Sequence, residues 1–442
     1  MELPREVGKA LAMLEAAGFE ACLVGGCVRD YLLGKTPHDF DITTNALPEE
    51  TEKVFEGFRV IEAGMKHGTV TVLMDHMPLE ITTYRSDGNY SDGRHPDDVH
   101  FTRKLEDDLA RRDFTVNAMA YSRQKGIIDI FGGQQDLAER RIRTVGAATE
   151  RFSEDALRIM RALRFSSVLG FAIDPEAAKA AANLKERLSL VSAERIYAEL
   201  NKLLCGSNVR QVLMSYPDIL SVWLPEIVPM VGFDQHNVHH IYTVWEHTAA
   251  VAEAIPPVPH LRLAALLHDS GKPGTFFIGE DGMGHFYGHH RLSTTIAETV
   301  LNRLKADNDT KLRVTTLIRY HDTPLDSDPK LIKHKLNKLG PELFSDLIKL
   351  QRADNLGQAP AYRDRQQKLD EIEAVTRDIL DAQACFSLKD LAVSGNDLIT
   401  LGMEPGPAIG QLLNTLLEAV IDGQLSNEKE RLLEAAKAYC SN

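Results

Sequence analysis

The sequence predicts an α+β protein: a mixed α/β head over residues 1–140, then an almost wholly helical remainder. Two observations predict this. Before about residue 140, short strand candidates alternate with helices. Past about 145, apolar residues recur at three- and four-residue spacing through most of the chain. A third observation sets the scale: 442 residues that are 43% hydrophobic and 26% charged are ordinary globular composition, enough for roughly three domains.

In order, MELPREVGKALAMLEAAGF opens the chain as an amphipathic helix at 5–17, not a signal peptide. Strands are expected at Ala21–Val24, Phe40–Thr43, Thr69–Met74, Leu79–Thr83 and Gly126–Ile130, with helices at 28–33 and 47–55 between the first of them. The polar, Gly-rich segment 85–100, RSDGNYSDGRHPDDVH, reads as a long mobile loop. Helices then follow at 155–170, 176–188, 193–204, 244–255, 261–268, 292–305, 309–320 and 411–421. Pro/Gly-rich breaks fall near 217–232, 256–259, 271–288 and 402–409. No run of about 18 apolar residues exists, so no membrane span and no membrane partner is expected. Cys22, Cys27, Cys205, Cys385 and Cys440 are scattered and form no Cys-x-x-Cys, which reads as reduced thiols in a cytoplasmic protein. The net charge of −14 argues against nonspecific binding to a polyanion, and no DNA partner is expected; a localised basic surface remains open.

The segment from Leu23 to Thr44, LVGGCVRDYLLGKTPHDFDITT, carries the first chemistry. Gly25-Gly26 lets the backbone approach a ligand closely, and amides at a helix start attract phosphate. Asp39 and Asp41 are expected on the following strand, where alternate residues share a face. Carboxylates paired in this way can hold the Mg²⁺ ions of an in-line phosphoryl transfer. Asp-x-Asp alone is commonly a solvated turn; the glycine pair and Arg29 upstream tip the reading to a site.

Three further segments extend it. Glu80, on LEITTY opposite Ile81 and Thr83, is either a third carboxylate or a surface residue of an edge strand. In RRDFTVN, Arg111 and Arg112 suit triphosphate oxygens. Asp113 and Asn117, four apart, would face one side of a helix and could read a ribose hydroxyl. In SEDALRIMRALR, Ser153 is the expected N-cap and Asp155 and Arg158 are neighbours on one helix face. An acceptor beside a donor can mimic a base-pairing edge; a plain i,i+3 salt bridge is the alternative.

GGCVRDYLLGKTPHDFDITT, TTYRSDGNYSDGRHP, RRDFTVNAMAY, IRTVG, SEDALRIMRALRF and SAERIYAELNKLL resemble, in order, the motifs of class II tRNA nucleotidyltransferases. That family includes CCA-adding enzymes and bacterial poly(A) polymerases within the DNA polymerase β superfamily. The resemblance covers about residues 20–205. It implies a polymerase β-like head, with Asp39 and Asp41 as Mg²⁺ ligands. It implies triphosphate contacts at Gly25, Gly26 and Arg29, and ribose and phosphate contacts at Arg112, Asp113 and Asn117. Glu154, Asp155 and Arg158 match the family's EDxxR signature, in which the Asp and Arg read the incoming base; Arg111 and Arg161 are counted with the nucleotide site. Members that add only CC lack part of the flexible loop between Asp-x-Asp and RRD, whereas YRSDGNYSDGRHPDDV is intact here.

Residues 236–354 carry most of the histidines. An apolar helix ending in His268-Asp269 offers a nitrogen and an oxygen ligand at one point, suiting a divalent transition metal. The region 235–360 resembles the HD-domain phosphohydrolase superfamily. His247, His268, Asp269 and Asp354 match its H…HD…D ligands; His289 and His321 match additional histidines of metal-rich members. Some bacterial CCA-adding enzymes carry such a domain with phosphatase or cyclic phosphodiesterase activity. A helical body that binds tRNA without hydrolysis is the alternative.

The expectation is a catalytic head (1–140), a neck (141–205) that reads the base and binds tRNA, an HD domain (206–365) and a tRNA-binding tail (366–442). The resemblance implies template-independent addition of C, C and A to tRNA from CTP and ATP. A-only or poly(A) addition, or an HD phosphohydrolase with a noncatalytic nucleotide-binding head, stay open, and so does the oligomeric state.

Overall fold

A computed structural model describes residues 1–37, 39–61, 64–65, 68–87, 99–237 and 241–440. Most of the polar loop expected at 85–100, residues 88–98, lies outside the described residues. The chain divides into two compact units, Met1–Val228 and Pro229–Asn442.

The first unit starts with α1 (Arg5–Ala16), β1 (Ala21–Val24), α2 (Gly26–Leu32), β2 (Asp41–Thr44), α3 (Pro48–Val54), β3 (Arg59–Ile61), β4 (Thr69–Met74) and β5 (Met77–Thr83). A small hairpin, β6 (Arg85–Asp87) with β7 (Val99–Phe101), leads to α4 (Leu105–Ala110), β8 (Met119–Ser122), β9 (Gly126–Asp129) and α5 (Gly133–Ala138). Seven strands form one sheet in the order β3-β4-β5-β2-β1-β8-β9. Among the described residues of this sheet, only β2 and β5 pair in parallel, because α3 and the β3–β4 hairpin supply the crossover that parallel strands need. β4 and β5 close through Asp75 (φ 45°) and His76 (φ 72°), the left-handed two-residue turn that suits the twist of a hairpin. Val7, Leu11 and Leu14 of α1 are fully buried. The sequence reading had no strand at β3 or β8. β8 lies centrally, between β1 and β9, yet NAMAYS lacks the β-branched run that marks a strand.

Beyond β10 (Arg141–Ile142) the unit is helical: α6 (Ala148–Glu154), α7 (Leu157–Leu169), α8 (Pro175–Leu184), α9 (Ala193–Leu204), α10 (Val209–Ser215) and α11 (Pro217–Leu220), with β11 (Ala172–Ile173) pairing to β10. α7 packs along α9 and α6 along α8, and α10 rests on α7, so residues 206–228 belong to this unit.

The second unit contains α12 (Val244–Ala254), α13 (Pro259–Leu267), α14 (Lys272–Thr275), a hairpin of β12 (Phe277–Ile278) and β13 (Gly284–His285), α15 (His289–Arg303), α16 (Asn308–Tyr320), α17 (Pro329–Leu339), α18 (Pro341–Leu356) and α19 (Arg365–Asp381). α13 is buried on every side from Leu261 to Leu267, Arg262 included, and α12, α15, α16 and α18 all pack on it. Leu398, Leu412, Leu416, Leu417 and Leu432 build a separate core among α20 (Gly395–Thr400), α21 (Pro407–Ile421) and α22 (Lys429–Cys440). Among the described residues no helix is long and apolar enough to cross a membrane. Cys22, Cys27, Cys205 and Cys385 are not in disulfides.

Candidate active site

The first site begins where β1 stops. Gly25 has φ 76° and ψ −131°, a conformation open only to glycine, and it turns the chain into α2. A Cβ there would sit 3.2 Å from Arg112 Nη1 and 3.7 Å from Asp41 Oδ2, so the turn also makes room for both side chains. Because β1 ends at Val24, opposite Asp41, nothing on that side continues the ladder further. Asp39 therefore lies before β2, not on the strand as expected, and is exposed. Asp41 pairs in register with Glu80 of β5, and Glu80 is exposed on the face opposite Leu79, Ile81 and Thr83. Burial and the charge of Asp39 raise the Asp41 carboxyl above its ordinary value, against the pull of Arg112. Carboxylates that repel one another in a cleft are a donor set suited to a hard divalent cation.

Arg112 and Arg111 are held from beneath by Asp108, whose carboxylate is fully buried and lies 2.7 Å from Arg111 Nη2 and 3.4 Å from Arg112 Nη2. Burial alone would raise this carboxyl, but the two guanidiniums hold it below the usual range. Asp113 and Asn117 do meet, through Asn117 Nδ2 donating to Asp113 Oδ1 at 3.2 Å. No α-helix joins them: α4 ends at Ala110, Phe114 bridges to Thr144, and a 3-10 turn covers Thr115–Asn117. The IRTVG segment captures the chain here, so the two side chains converge by tertiary pairing instead of helical spacing. Arg29 Nη1 donates to Asn117 Oδ1 at 2.7 Å. Asp113 takes Arg161 at 2.5 Å and its own neighbour Phe114 N at 2.8 Å, and despite burial these partners hold its carboxyl below the ordinary value.

The EDALR segment corrects the reading most. Ser153 is inside α6 and caps nothing. Asp155 leaves the helix in an extended conformation (φ −139°, ψ 104°), and its Oδ1 accepts from Leu157 N at 3.0 Å to start α7. Asp155 and Arg158 make no salt bridge with each other. Asp155 pairs instead with Arg195 at 2.7 Å, and Arg158 with Glu154 at 2.6 Å. Both remain in the cleft, their positions fixed by separate partners.

One cavity of 530 Å³ gathers this site. Its lining includes Gly25, Gly26, Arg29, Asp41, Arg111 and Arg112, and on the helical side Asp113, Asn117, Asp155, Arg158 and Arg161. Asp39, Glu80 and Glu154 do not line it. Arg164, Phe165 and Arg195 line it and were missed. Phe165 lies under three guanidiniums, with Arg164 3.9 Å, Arg29 5.3 Å and Arg161 5.5 Å from its ring centre. The i,i+3 spacing of Arg161 and Arg164 was the available signal; Arg195 had only its place in SAERIY. Two buried thiols, Cys22 and Cys27, flank the glycine turn.

In the second unit all six expected ligands converge. His268 ends α13 and His321 ends α16, while His289 opens α15. His247 stands on α12 and Asp354 on α18. Each histidine turns Nδ1 to a backbone carbonyl: His247 to Gly357 (3.2 Å), His268 to Ala265 (2.8 Å), His289 to Phe286 (2.9 Å) and His321 to Ile318 (2.7 Å). The four Nε2 atoms therefore point inward at Asp269 and Asp354, the outer-shell arrangement that orients metal-binding histidines. His247 Nε2 is 2.9 Å from Asp354 Oδ1, His268 Nε2 3.3 Å from Asp269 Oδ2, and His289 Nε2 3.4 Å from Asp269 Oδ1. Although burial opposes it, the two carboxylates raise His268 to about 10; that proton is the charge a divalent cation would displace. Lys272, not foreseen as a site residue, is buried with Nζ 2.7 Å from Asp269 Oδ2.

Comparisons with known proteins bear on the family and the fold. Residues 21–143 match the family described as "Poly A polymerase head domain" and residues 170–230 the "Probable RNA and SrmB-binding site of polymerase A". Residues 286–436 match tRNA nucleotidyltransferase domain 2. The CCA-adding enzyme of Lactobacillus delbrueckii subsp. bulgaricus is 36% identical over 426 residues, spanning 96% of this chain and 95% of its own. That of Levilactobacillus brevis is 36% identical over 98% of both chains. The crystal structure of Bacillus stearothermophilus CCA-adding enzyme in complex with CTP superposes with a TM-score of 0.72 at 30% identity, covering 100% of both chains. The Thermotoga maritima CCA-adding enzyme complexed with tRNA-CCA shares the fold, with a TM-score of 0.57 at 20% identity over 100% of both chains. With identity of this order along nearly the whole length, the chain belongs to the family of CCA-adding enzymes, which are tRNA nucleotidyltransferases.

Proposed function

We propose that this chain completes the 3′ end of tRNA by adding C, C and A from CTP and ATP, without a nucleic-acid template. The observation that carries the reading is one cavity that joins the acid strand, seven arginines and the Asp155–Arg158 pair. The CTP-bound and tRNA-bound relatives support it.

In this reading Arg29, Arg111 and Arg112 bind the triphosphate, with the Gly25–Gly26 backbone close against it. Asn117, held between Arg29 and Asp113, meets the ribose. Asp113 spends its acceptors on Arg161 and Asn117, and so positions these groups. Asp155 and Arg158 present an acceptor and a donor to the base, with Glu154 and Arg195 fixing them. The tRNA 3′-hydroxyl loses its proton and bonds to the α-phosphorus, the bond to the β-phosphate bridging oxygen breaks, and pyrophosphate leaves. Asp39 and Asp41, with Glu80 beside them, would hold two Mg²⁺ ions, which lower the pKa of the hydroxyl and neutralise the leaving group. The remaining work of the protein is positioning and charge neutralisation.

The His–Asp cluster is read as a metal-dependent phosphohydrolase acting in repair of tRNA 3′ ends. His247, His268, Asp269 and Asp354 would hold a divalent transition metal, and His289 and His321 extend the set. We assign residues 1–140 as the catalytic head, the helices from 141 to 228 as the neck, the HD domain as ending near 365, and 366–442 as a tail that grips tRNA. A cytoplasmic location fits cysteines that are not in disulfides.

The test incubates the purified protein with tRNA transcripts ending before CCA, after C and after CC, with Mg²⁺ and CTP, ATP or both. Growth by three, two and one residues, then a stop, is expected. Addition of A alone to the CC-ended tRNA, a long A ladder, or no extension would each overturn full CCA addition.

A further inference from the structure

The cavity that holds the His–Asp cluster, 370 Å³ in volume, has an aromatic wall. His285 and Tyr287 line it together with Asp269, His289, His321 and Asp354. β13 ends at His285, and Tyr287 follows in a turn whose ring comes back against that of His285. Phe286 also lines the cavity and packs 5.5 Å from Phe276, with Lys272 Nζ 5.3 Å from its ring centre. Three rings gather here. His285 stacks on Tyr287 at 5.4 Å and 22°, and on Phe277 at 5.4 Å and 28°. Asp281 Oδ1 fixes His285 from behind at 3.0 Å. The hairpin is itself pinned: Gly284 N donates to His236 O at 2.8 Å, and a Cβ on Gly284 would strike Gln235 O at 2.2 Å. Yet Tyr287 is 75% exposed and Phe277 43%. Stacked rings left exposed beside this cluster have a face to offer, and among the described residues the exposure of Tyr287 leaves that face open to a ligand. Only Gly288 (φ 78°) separates Tyr287 from the ligand His289, so ring and cluster keep a fixed spacing. Lys272 and Arg365 add positive charge to the same cavity.

We propose that Phe277, His285 and Tyr287 form a stacking shelf for a nucleobase, so that the His–Asp site takes a ribonucleoside phosphate, free or as the last residue of an RNA strand. The inference rests on the phosphohydrolase reading of that site. A shelf of this kind accepts any base, because every base offers a π-face. It leaves the phosphate to reach the cluster while the sugar spans the gap.

The experiment measures hydrolysis by the full chain, with Mn²⁺, Co²⁺, Ni²⁺ or Mg²⁺ supplied, of adenosine 3′-monophosphate, a dinucleotide 3′-phosphate and ribose 5-phosphate. Tyr287→Ala is expected to raise KM for both nucleotides by roughly tenfold while kcat and the KM for ribose 5-phosphate hold, and Tyr287→Phe to restore it. Phe277→Ala acts in the same direction but less. A shift shared equally by ribose 5-phosphate, or no shift, overturns the shelf. A lower KM for the dinucleotide than for the mononucleotide makes an RNA end the occupant; equal values make it the free nucleotide, and either keeps the shelf. If the wild type hydrolyses none of these, the phosphohydrolase reading fails and the shelf is judged by binding alone. Quenching of 2-aminopurine riboside monophosphate fluorescence by the wild type but less by Tyr287→Ala then supports it. Equal quenching by both proteins overturns it, since Tyr287 lies outside the nucleotidyl-transfer cleft.

Discussion

At the scale of single residues the cleft separates groups proposed to meet the substrate from groups that hold them. Asp41 is the one expected Mg²⁺-ligand carboxylate that also lines this cavity, so its loss removes charge beside the proposed triphosphate site. Asp41→Ala should lower kcat for nucleotide addition by about a thousandfold or more while leaving tRNA affinity within a few-fold, read by single-turnover extension and gel shift. Wild-type turnover in this variant would remove Asp41 from the metal site. Asp155 is anchored by Arg195 across 40 residues of sequence. Asp155→Ala should reduce the preference for CTP and ATP over UTP by about tenfold, and Arg195→Ala should do the same with a smaller rise in KM for triphosphate. Unchanged selectivity in Asp155→Ala would end its base-reading role. The residue types were legible because acid pairs, arginine doublets and His-Asp doublets carry their chemistry in short spans. Their partners were not: Arg195 meets Asp155, and Arg29 meets Asn117, only because the fold closes loops of 40 and 88 residues.

Among the elements, the legible ones obey a local rule and the misread ones are governed from a distance. β4, with alternating burial over Thr69–Met74, was placed to the residue. The break between α6 and α7 was not, because SEDALRIMRALRF contains no glycine or proline. Asp155 makes that break by capping Leu157 and reaching for Arg195. Gly25 is the element boundary beside Arg112 and Asp41. Gly25→Ala forces a side chain into a backbone region costing about 1–3 kcal/mol and presses on Arg112. A fall of several degrees in the melting temperature and a raised KM for triphosphate are expected, from calorimetry and steady-state kinetics. In the second unit Gly357, with ordinary helical backbone, clears space at the end of α18, since a Cβ there would lie 2.9 Å from the His247 ring. Gly357→Ala should lower bound transition metal, measured by elemental analysis, and leave nucleotide addition at the wild-type rate. Equal metal content would mean that His247 has room to move.

For the whole molecule, each unit carries a complete constellation within its own residues, so the two chemistries should be separable. His268→Ala is expected to abolish phosphohydrolysis and spare CCA addition, with Asp41→Ala the reverse, both assayed on one preparation; coupled losses would refute separability. Acid should weaken the first unit. Asp108 and Asp113 have folded-state carboxyls below the ordinary 3.8, so their contribution to stability is present above that value and is lost as pH falls through the lower folded one. The melting temperature should drop as pH falls from about 4 downward, and Asp108→Asn, already less stable at neutral pH, should show a shallower drop; an identical slope would exclude Asp108 as a source. The two thiols beside the glycine turn have a different consequence. Burial, aided for Cys27 by the Asp41 charge, pushes both up to about 11. A thiol that keeps its proton at neutral pH is a poor nucleophile toward peroxide or an alkylating agent. The glycine turn at the proposed triphosphate site thus sits between two chemically quiet sulfurs, so nucleotide addition is expected to survive peroxide or iodoacetamide treatment at neutral pH.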